Sequence, residues 1–348
     1  MRLTALLRPF AFLSLAALAA CSSTTPTQRS DATAATPTQT TAGGVPPVKI
    51  GIALGGGAAK GFAHIGVIKM LEANGFAPSV VAGTSAGSVV GALYASGMSP
   101  FEMQEKAVAL DESQIRDLQL SSGGLLQGQK LEDYVNAQVH NVPLEKLSKP
   151  FVAVATRLED GERTVFARGN TGQAVRASSS IPGVFQPVTI GKYHFVDGGV
   201  VSPVPVDAAR QLGADIVIAV DISSKAPGDL LGTVGQSIAI MGQKLGQAEL
   251  SRADVVIRPE VLDIGAADFS QRSNAILEGE KAALAAMPRI RARVAQLQAE
   301  RAQAARMAQQ QAAEAQYRTC LENRSRIRKL AEMAGLDDTC RPPTGYKP

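Results

Sequence analysis

An apolar run, Val48-Lys49-Ile50-Gly51-Ile52-Ala53-Leu54, stands between Pro46-Pro47 and Gly55-Gly56-Gly57. A short run punctuated on both sides in this way reads as a buried strand. A helix is expected directly after it. Gly61 to Asn74 carries Phe62, Ile65, Ile68 and Leu71 at three-residue intervals, close to one helical face, and stops at Gly75, a C-capping residue type. Further apolar runs at 79–82, 151–156, 164–167, 194–196, 216–220 and 255–257 alternate with helical stretches. That rhythm implies an α/β sheet with helices on its faces. No internal repeat of solenoid length interrupts it.

The chain has 348 residues, room for one large domain or two modest ones, and its 45% hydrophobic and 19% charged content is that of a globular protein. It has no Trp and only 4% aromatics, which speaks against stacking platforms for nucleic acid. The net charge of +4 hides an asymmetry: residues 281–348 hold 13 Lys+Arg against 6 Asp+Glu, so the rest of the chain is net acidic. Three Cys and three His, widely scattered, outline no metal site.

Arg2 and Arg8 precede an apolar run from Pro9 to Ala20 that is short for a bilayer span and ends in small residues before a cysteine. Residues 1–20 therefore read as a secretory signal. Leu18-Ala19-Ala20-Cys21 resembles the lipobox of bacterial lipoproteins, which implies that Cys21 becomes a lipidated N-terminus anchored in the membrane. Ser22 follows it rather than Asp, which in that pattern favours the outer membrane, so the expected location is the periplasmic side of the envelope. Residues 21–47 are mostly Ser, Thr, Pro, Gln, Ala and Gly, a composition expected to form a flexible tether spanning roughly 28 Å root-mean-square. In an oxidising compartment Cys320 and Cys340 are expected to pair rather than remain free thiols.

Three punctuation points carry the chemistry. Gly55-Gly56-Gly57-Ala58-Ala59-Lys60-Gly61 lies between strand and helix, where a glycine run leaves backbone N–H groups uncovered for an anion. Such a loop suits a phosphate, a dinucleotide or an oxyanion. A Walker loop needs Gly-Lys-Ser/Thr, whereas Lys60 precedes Gly61 and Phe62. A dinucleotide loop expects a glycine where Lys60 stands and an acid where the next strand ends in Gly83. The second point, Gly83-Thr84-Ser85-Ala86-Gly87, follows Val80-Val81-Ala82 and precedes a helical stretch at 88–96. In that setting G-x-S-x-G is the pattern of a nucleophile elbow, and alone it also suits a small-residue turn with Ser85 as N-cap. The third point, Asp197-Gly198-Gly199, closes Tyr193-His194-Phe195-Val196; a lone Asp there also suits a turn. His64, His140 and His194 all precede Asp197, so the Ser-Asp-His order of α/β-hydrolases is excluded. Either the site is not catalytic, or a carboxylate acts on Ser85 without an imidazole between them.

Together these blocks resemble the patatin-like phospholipases, most closely the bacterial stand-alone members. Gly55-Gly56-Gly57 through Lys60-Gly61 matches the family's oxyanion-hole loop with one extra residue before the basic position, and Leu54 stands where the plant proteins have Asp. Gly83 to Gly87 matches the elbow, Ala177-Ser178-Ser179-Ser180-Ile181-Pro182 a stretch between elbow and acid, and Asp197-Gly198-Gly199 the D-G-G block. The resemblance covers about residues 48–260. It implies a three-layer fold with a central, largely parallel sheet between helices, and hydrolysis of carboxylic esters in phospholipids or lysophospholipids. It assigns Ser85 as nucleophile, Asp197 as general base, and Gly55, Gly56 and Gly57 as the oxyanion hole. Lys60, Gly61, Gly83, Gly87, Gly198 and Gly199 support those motifs, and neither a metal nor an organic cofactor is implied.

His64 either lines the site or packs its helix, Lys60 either touches an anionic headgroup or braces the loop, and Gly123 to Gly128 is either a rim for an acyl chain or a plain loop. The acyl-hydrolase domain is expected over 48–280 and a basic, Ala/Gln/Arg-rich helical tail over 281–348, with Pro288 starting a new helix. The tail is either a solvated or bracing helix or a basic face for anionic lipid. Two rival functions remain open at this level: a nucleotide-dependent protein, and a non-catalytic lipid-binding or envelope-scaffold lipoprotein on the same fold.

Overall fold

The computed structural model describes residues 46–115, 117–121, 124–223, 232–334 and 340–346. The expected signal at 1–20, Cys21 and nearly all of the tether lie outside the described residues. In chain order the strands are β1 (Ile50–Leu54), β2 (Val80–Thr84), β3 (Leu118–Ser121), β4 (Gly124–Leu126), β5 (Phe151–Arg157), β6 (Arg163–Phe166), β7 (Val188–Ile190), β8 (Tyr193–Asp197), β9 (Ile216–Val220) and β10 (Val255–Ile257). The helices are α1 (Ala63–Ala73), α2 (Ala86–Ala95), α3 (Pro100–Ala109), α4 (Gln129–Gln138), α5 (Thr171–Ser178), α6 (Val206–Gln211), α7 (Gly232–Leu250) and α8 (Arg272–Ala334). Each apolar run expected to be a strand falls on one. The expected α/β architecture is observed, with a largely parallel central sheet between helices.

β10, β9, β1, β2 and β5 run parallel in that order. β6 and β8 both pair antiparallel with β5, and β7 pairs with β8. β6 bonds β5 residues 153–154 opposite β2 and residues 155–156 opposite β8, so β2 and β8 share one edge of β5. They approach head to head. Thr84 pairs with Val154, and Asp197 pairs with the next residue, Ala155. This register brings the residue after β2, Ser85, to the end of β8.

Both faces of the parallel strands are covered, so their side chains are apolar in both directions. Ile50, Ile52 and Leu54 of β1 and Ile216, Ile218 and Val220 of β9 join a core with α1, α2 and α8. Ala53, Val217 and Ala219 face the other way, onto α6 and the end of α7. The boundary expected at residue 280 falls inside α8, which runs unbroken through Pro288. Pro288 is exposed, while Ala283, Ala286, Met287 and Ile290 around it are buried and hold the helix despite its missing N–H. α8 crosses α1 closely: a Cβ on Gly66 would run into Ile276 O, and one on Gly279 into Ala63 O. Farther along, Arg291 bonds Asn74 at 2.9 Å, Arg293 bonds Asp254 at 3.0 Å and Arg301 pairs with Asp215. The first third of the expected tail is thus part of the domain. Among the described residues, no helix is long and apolar enough to cross a membrane.

Candidate active site

Ser85 sits between β2 and α2 at φ 53° and ψ −125°, a left-handed backbone rare for a side-chain-bearing residue and worth roughly 1–3 kcal/mol of strain. The surroundings hold it there. Its N–H donates to Ser178 Oγ at 2.9 Å, Ser178 Oγ donates to Val154 O at 2.5 Å, and Ser88 Oγ donates to Ser85 O at 2.7 Å. A Cβ on Gly83 would meet Gly87 O and one on Gly87 would meet Leu54 O, so only glycines let the helix leave the strand this sharply.

Ser85 Oγ donates to Asp197 Oδ2 at 2.6 Å, and both residues are buried, each 6% exposed. Gly199 N–H donates to the other oxygen, Oδ1, at 2.6 Å. The backbone of Asp197 is fixed on both sides, its N–H to Ser180 O at 2.8 Å and its carbonyl by Thr156 Oγ1 at 2.8 Å. Burial pushes the Asp197 carboxyl up to about 6, against the opposing pull of the Ser85 and Gly199 hydrogen bonds. A carboxylate so raised is a better base than an exposed one and still ionises below neutrality.

The histidines lie elsewhere. His64 is fully buried, and its Nε2–H donates to Gly55 O at 2.8 Å, bracing the glycine loop from behind. Burial pushes its pKa down to about 4, so the ring is neutral, and its Nδ1 has no partner among the described residues. His140 is exposed, and His194 is exposed and bonded to Glu159 at 2.8 Å. None of the three imidazoles is hydrogen-bonded to Ser85 or Asp197.

The oxyanion assignment needs correction. Gly55 N–H donates to Val220 O at 3.1 Å and Gly56 N–H to Pro203 O at 3.0 Å, so both amides are committed to holding the loop. Among the described residues, the amides of Gly57 and Ala58 have no such acceptor, and Ala58 is itself held at φ 51°. Ala86, the first residue of α2, contributes a further amide that a helix leaves free. Gly61 makes this grouping possible, because a Cβ there would press on Ala86 Cβ at 2.6 Å. Lys60 is 4% exposed but does not line the cavity beside Ser85; burial lowers its pKa while Asp263 opposes, which fits a loop brace.

Glu249, at the end of α7, escaped the sequence reading because an acid in Gln-Ala-Glu-Leu looks like a solvated helix face. It is 5% exposed, accepts a short hydrogen bond from Ser202 Oγ and another from Val204 N–H at 2.9 Å. The segment it grips supplies Ser202 O to Thr84 Oγ1 at 2.8 Å and Pro203 O to Gly56. One carboxylate thereby fastens the loop after Asp197 to both the elbow and the glycine loop. Burial raises its pKa, against the Ser202 and Val204 hydrogen bonds.

A cavity of about 410 Å³ opens beside Ser85. Its walls are mostly apolar: Ala58, Ala59 and Phe62 on one side, Val89, Val90 and Leu131 on another, and Ile181, Val184 and Phe185 on a third. Leu126 also lines it, so the stretch ending at Gly128 reaches the cavity, while Gly123 lies outside the described residues. Far from this site, Cys320 and Cys340 are joined by a disulfide, and Tyr317 stacks edge-on against Tyr346 with centroids 5.2 Å apart. Among the described residues no group of three or more His, Cys, Asp and Glu side chains is placed to hold a metal ion.

Residues 52–210 match the family model described as patatin-like phospholipase. An uncharacterized NTE family protein of Mycobacterium tuberculosis is 37% identical over 183 residues, covering 52% of this chain and 51% of that protein. Patatin-like phospholipase domain-containing protein 6 of Homo sapiens is 33% identical over 198 residues, 55% of this chain and 14% of that protein. The chain therefore spans about half the length of the first relative and a small part of the second. A solved structure of the heterodimeric ExoU–SpcU complex from the type III secretion system of Pseudomonas aeruginosa aligns with a TM-score of 0.43 at 17% identity, covering 85% of this chain and 65% of that one. Ser85, Asp197 and the glycine loop all lie within the segment 52–210 that matches the patatin-like phospholipase family model.

Proposed function

We propose that this chain is a serine acyl hydrolase that uses a Ser85–Asp197 dyad to cleave carboxylic ester bonds of phospholipids or lysophospholipids. The observation that carries it is the 2.6 Å hydrogen bond from Ser85 Oγ, at the wall of an apolar cavity, to a buried carboxylate. Ser85 Oγ attacks the ester carbonyl as its proton passes to Asp197 Oδ2, and the new oxyanion meets the amides of Gly57, Ala58 and Ala86. Each such donor is worth roughly 3–4 kcal/mol in the transition state. Collapse expels the alcohol, which takes the proton from Asp197, and water then releases the acyl group from Ser85 by the same route reversed. The family match and the names of the relatives support a lipid ester as substrate.

Full-length protein is expected to release fatty acid from dispersed lysophospholipid in the presence of a chelator and to be labelled at Ser85 by a fluorophosphonate. A folded protein that the probe ignores, or a Ser85→Ala variant labelled equally, removes the hydrolase reading. The N-terminal pattern adds a setting: a lipid anchor on Cys21 at the periplasmic side of the envelope, with the outer membrane favoured. Cys21→Ala is expected to move the protein from the membrane to the soluble periplasmic fraction.

A further inference from the structure

Ser178, Ser179 and Ser180 divide their work unequally. The first hydroxyl accepts from Ser85 N–H, and the carbonyl of the third accepts from Asp197 N–H, so this short run grips both members of the dyad. Ser180 Oγ is itself used, donating to Arg176 O at 2.9 Å. Ser179 differs. Its backbone is satisfied, N–H to Arg176 O at 3.0 Å and carbonyl from Ile181 N–H at 3.0 Å, yet its hydroxyl has no partner among the described residues although the residue is only 7% exposed. Ser179 also lines the cavity that holds Ser85.

A buried hydroxyl left unmade is destabilising, and native proteins retain few of them. Nothing ties Ser179 to its present χ1, so the hydroxyl can swing between staggered wells into the cavity without breaking a bond. The neighbouring walls offer mostly hydrocarbon, and an acyl ester brings acceptors only. Its carbonyl oxygen is claimed by the amides on the Gly57–Ala58 side. Ser179 is the chain neighbour of Ser180, whose carbonyl anchors Asp197, and it lines the same cavity as Ser85.

Building on the hydrolase reading, we propose that Ser179 is a catalytic residue that donates a hydrogen bond to the leaving alkoxy oxygen of the ester. As the carbonyl carbon–alkoxy bond breaks, charge grows on that oxygen. Ser179 stabilises it without losing its own proton, while the proton that neutralises it comes from Asp197. The group therefore matters most for poor leaving groups such as the glyceryl oxygen of a lipid, and least for a stable phenolate.

The test compares full-length wild type, Ser179→Ala and Ser179→Thr on two esters of one acyl chain, a glyceryl ester and a p-nitrophenyl ester, by kcat/KM, which reports the acylation half-reaction. For Ser179→Ala the glyceryl ester is expected to lose on the order of tenfold to a hundredfold, the range of a hydrogen bond to a charged group. That loss exceeds the loss on the p-nitrophenyl ester by about tenfold. Ser179→Thr, which keeps the hydroxyl, restores most of the difference. The melting temperature of Ser179→Ala stays level or rises, because an unsatisfied polar atom has gone. An equal loss on both esters, or none on either, overturns the leaving-group role while wild-type turnover of both leaves the hydrolase reading standing. Wild type that hydrolyses neither ester overturns both.

Discussion

Thr84 and Asp197 pair with adjacent residues of one strand, Val154 and Ala155, from opposite directions along the same edge. Ser85, the residue after Thr84, and Asp197 are therefore placed by strand register rather than by a flexible loop. Because both Thr84 and the loop after Asp197 are fastened through Ser202 and Pro203 to Glu249, the structure predicts an effect from a residue outside the cavity. Glu249→Gln loses one acceptor for two buried donors. It is expected to lower kcat about tenfold with little change in KM, and stability by about 1–3 kcal/mol. Steady-state kinetics beside thermal melts read both; an unchanged kcat in the less stable variant would show that the clamp does not position the dyad.

Turnover should follow the ionisation of Asp197. With its pKa near 6, kcat/KM is expected to rise with pH through about that value and to level off above it, since only the carboxylate accepts the Ser85 proton. Asp197→Asn is expected to remain folded and inactive at every pH. His140→Gln and His194→Gln, both at exposed positions, are expected to leave the profile in place. A profile whose limb disappears with a histidine substitution would assign the base to an imidazole.

Stability should respond to pH in two opposing ways. Asp197 has a folded pKa raised from 3.8 to about 6, so between those values the native state holds more protons than the unfolded chain. Its contribution therefore falls as pH rises through that window, by on the order of 3 kcal/mol. His64 has a folded pKa lowered from 6.5 to about 4, so its contribution is present above 6.5 and is lost as pH falls toward 4, by a similar amount. The two slopes largely cancel in wild type. Denaturant titrations of Asp197→Asn should expose stability that rises from pH 4 to 6.5, and a folded His64→Gln the reverse, reinforced by Glu249, whose pKa burial also raises. Parallel pH dependence in both variants would contradict the burial of these groups.

On the proposed hydrolase reading, the cavity beside Ser85 sets the acyl chain that fits. Val89 lines it, and Val89→Trp fills part of the 410 Å³ with an indole. The ratio of kcat/KM for long-chain over short-chain esters is expected to fall about tenfold or more, as each excluded methylene carries a discrimination of that order. An unchanged chain-length profile would place the acyl chain elsewhere.

Truncation separates the two parts of the long helix. Cutting after residue 280 removes Met287, Ile290 and Val294 from the core, each worth roughly 1.5–3 kcal/mol, a total comparable with the whole stability of a domain. That chain is expected not to fold. A cut after residue 304 keeps these residues and the Arg301–Asp215 pair and is expected to melt within a few degrees of wild type. Circular dichroism melts of the two truncations decide it.

Much of the site could be read from the chain alone because its parts are local. A glycine run after a strand, G-x-S-x-G between strand and helix, and Asp before two glycines each impose their backbone geometry within a few residues, and each appears where the pattern puts it. The strands of the parallel sheet were equally legible, since burial on both faces demands near-continuous apolar runs. What only the tertiary structure decided is how distant segments spend their hydrogen bonds. Gly55 and Gly56 look like oxyanion donors until Val220 and Pro203 are seen to accept their amides. Glu249 looks like a surface acid until Ser202 and Val204 close on it. Pro288 looks like a helix start until packed residues on either side of it outweigh one missing N–H. Local sequence determines which conformations a segment can adopt; which donors stay free, which acids are buried and which edge of β5 receives Asp197 depend on contacts between segments distant in the chain, whose energies no short pattern contains.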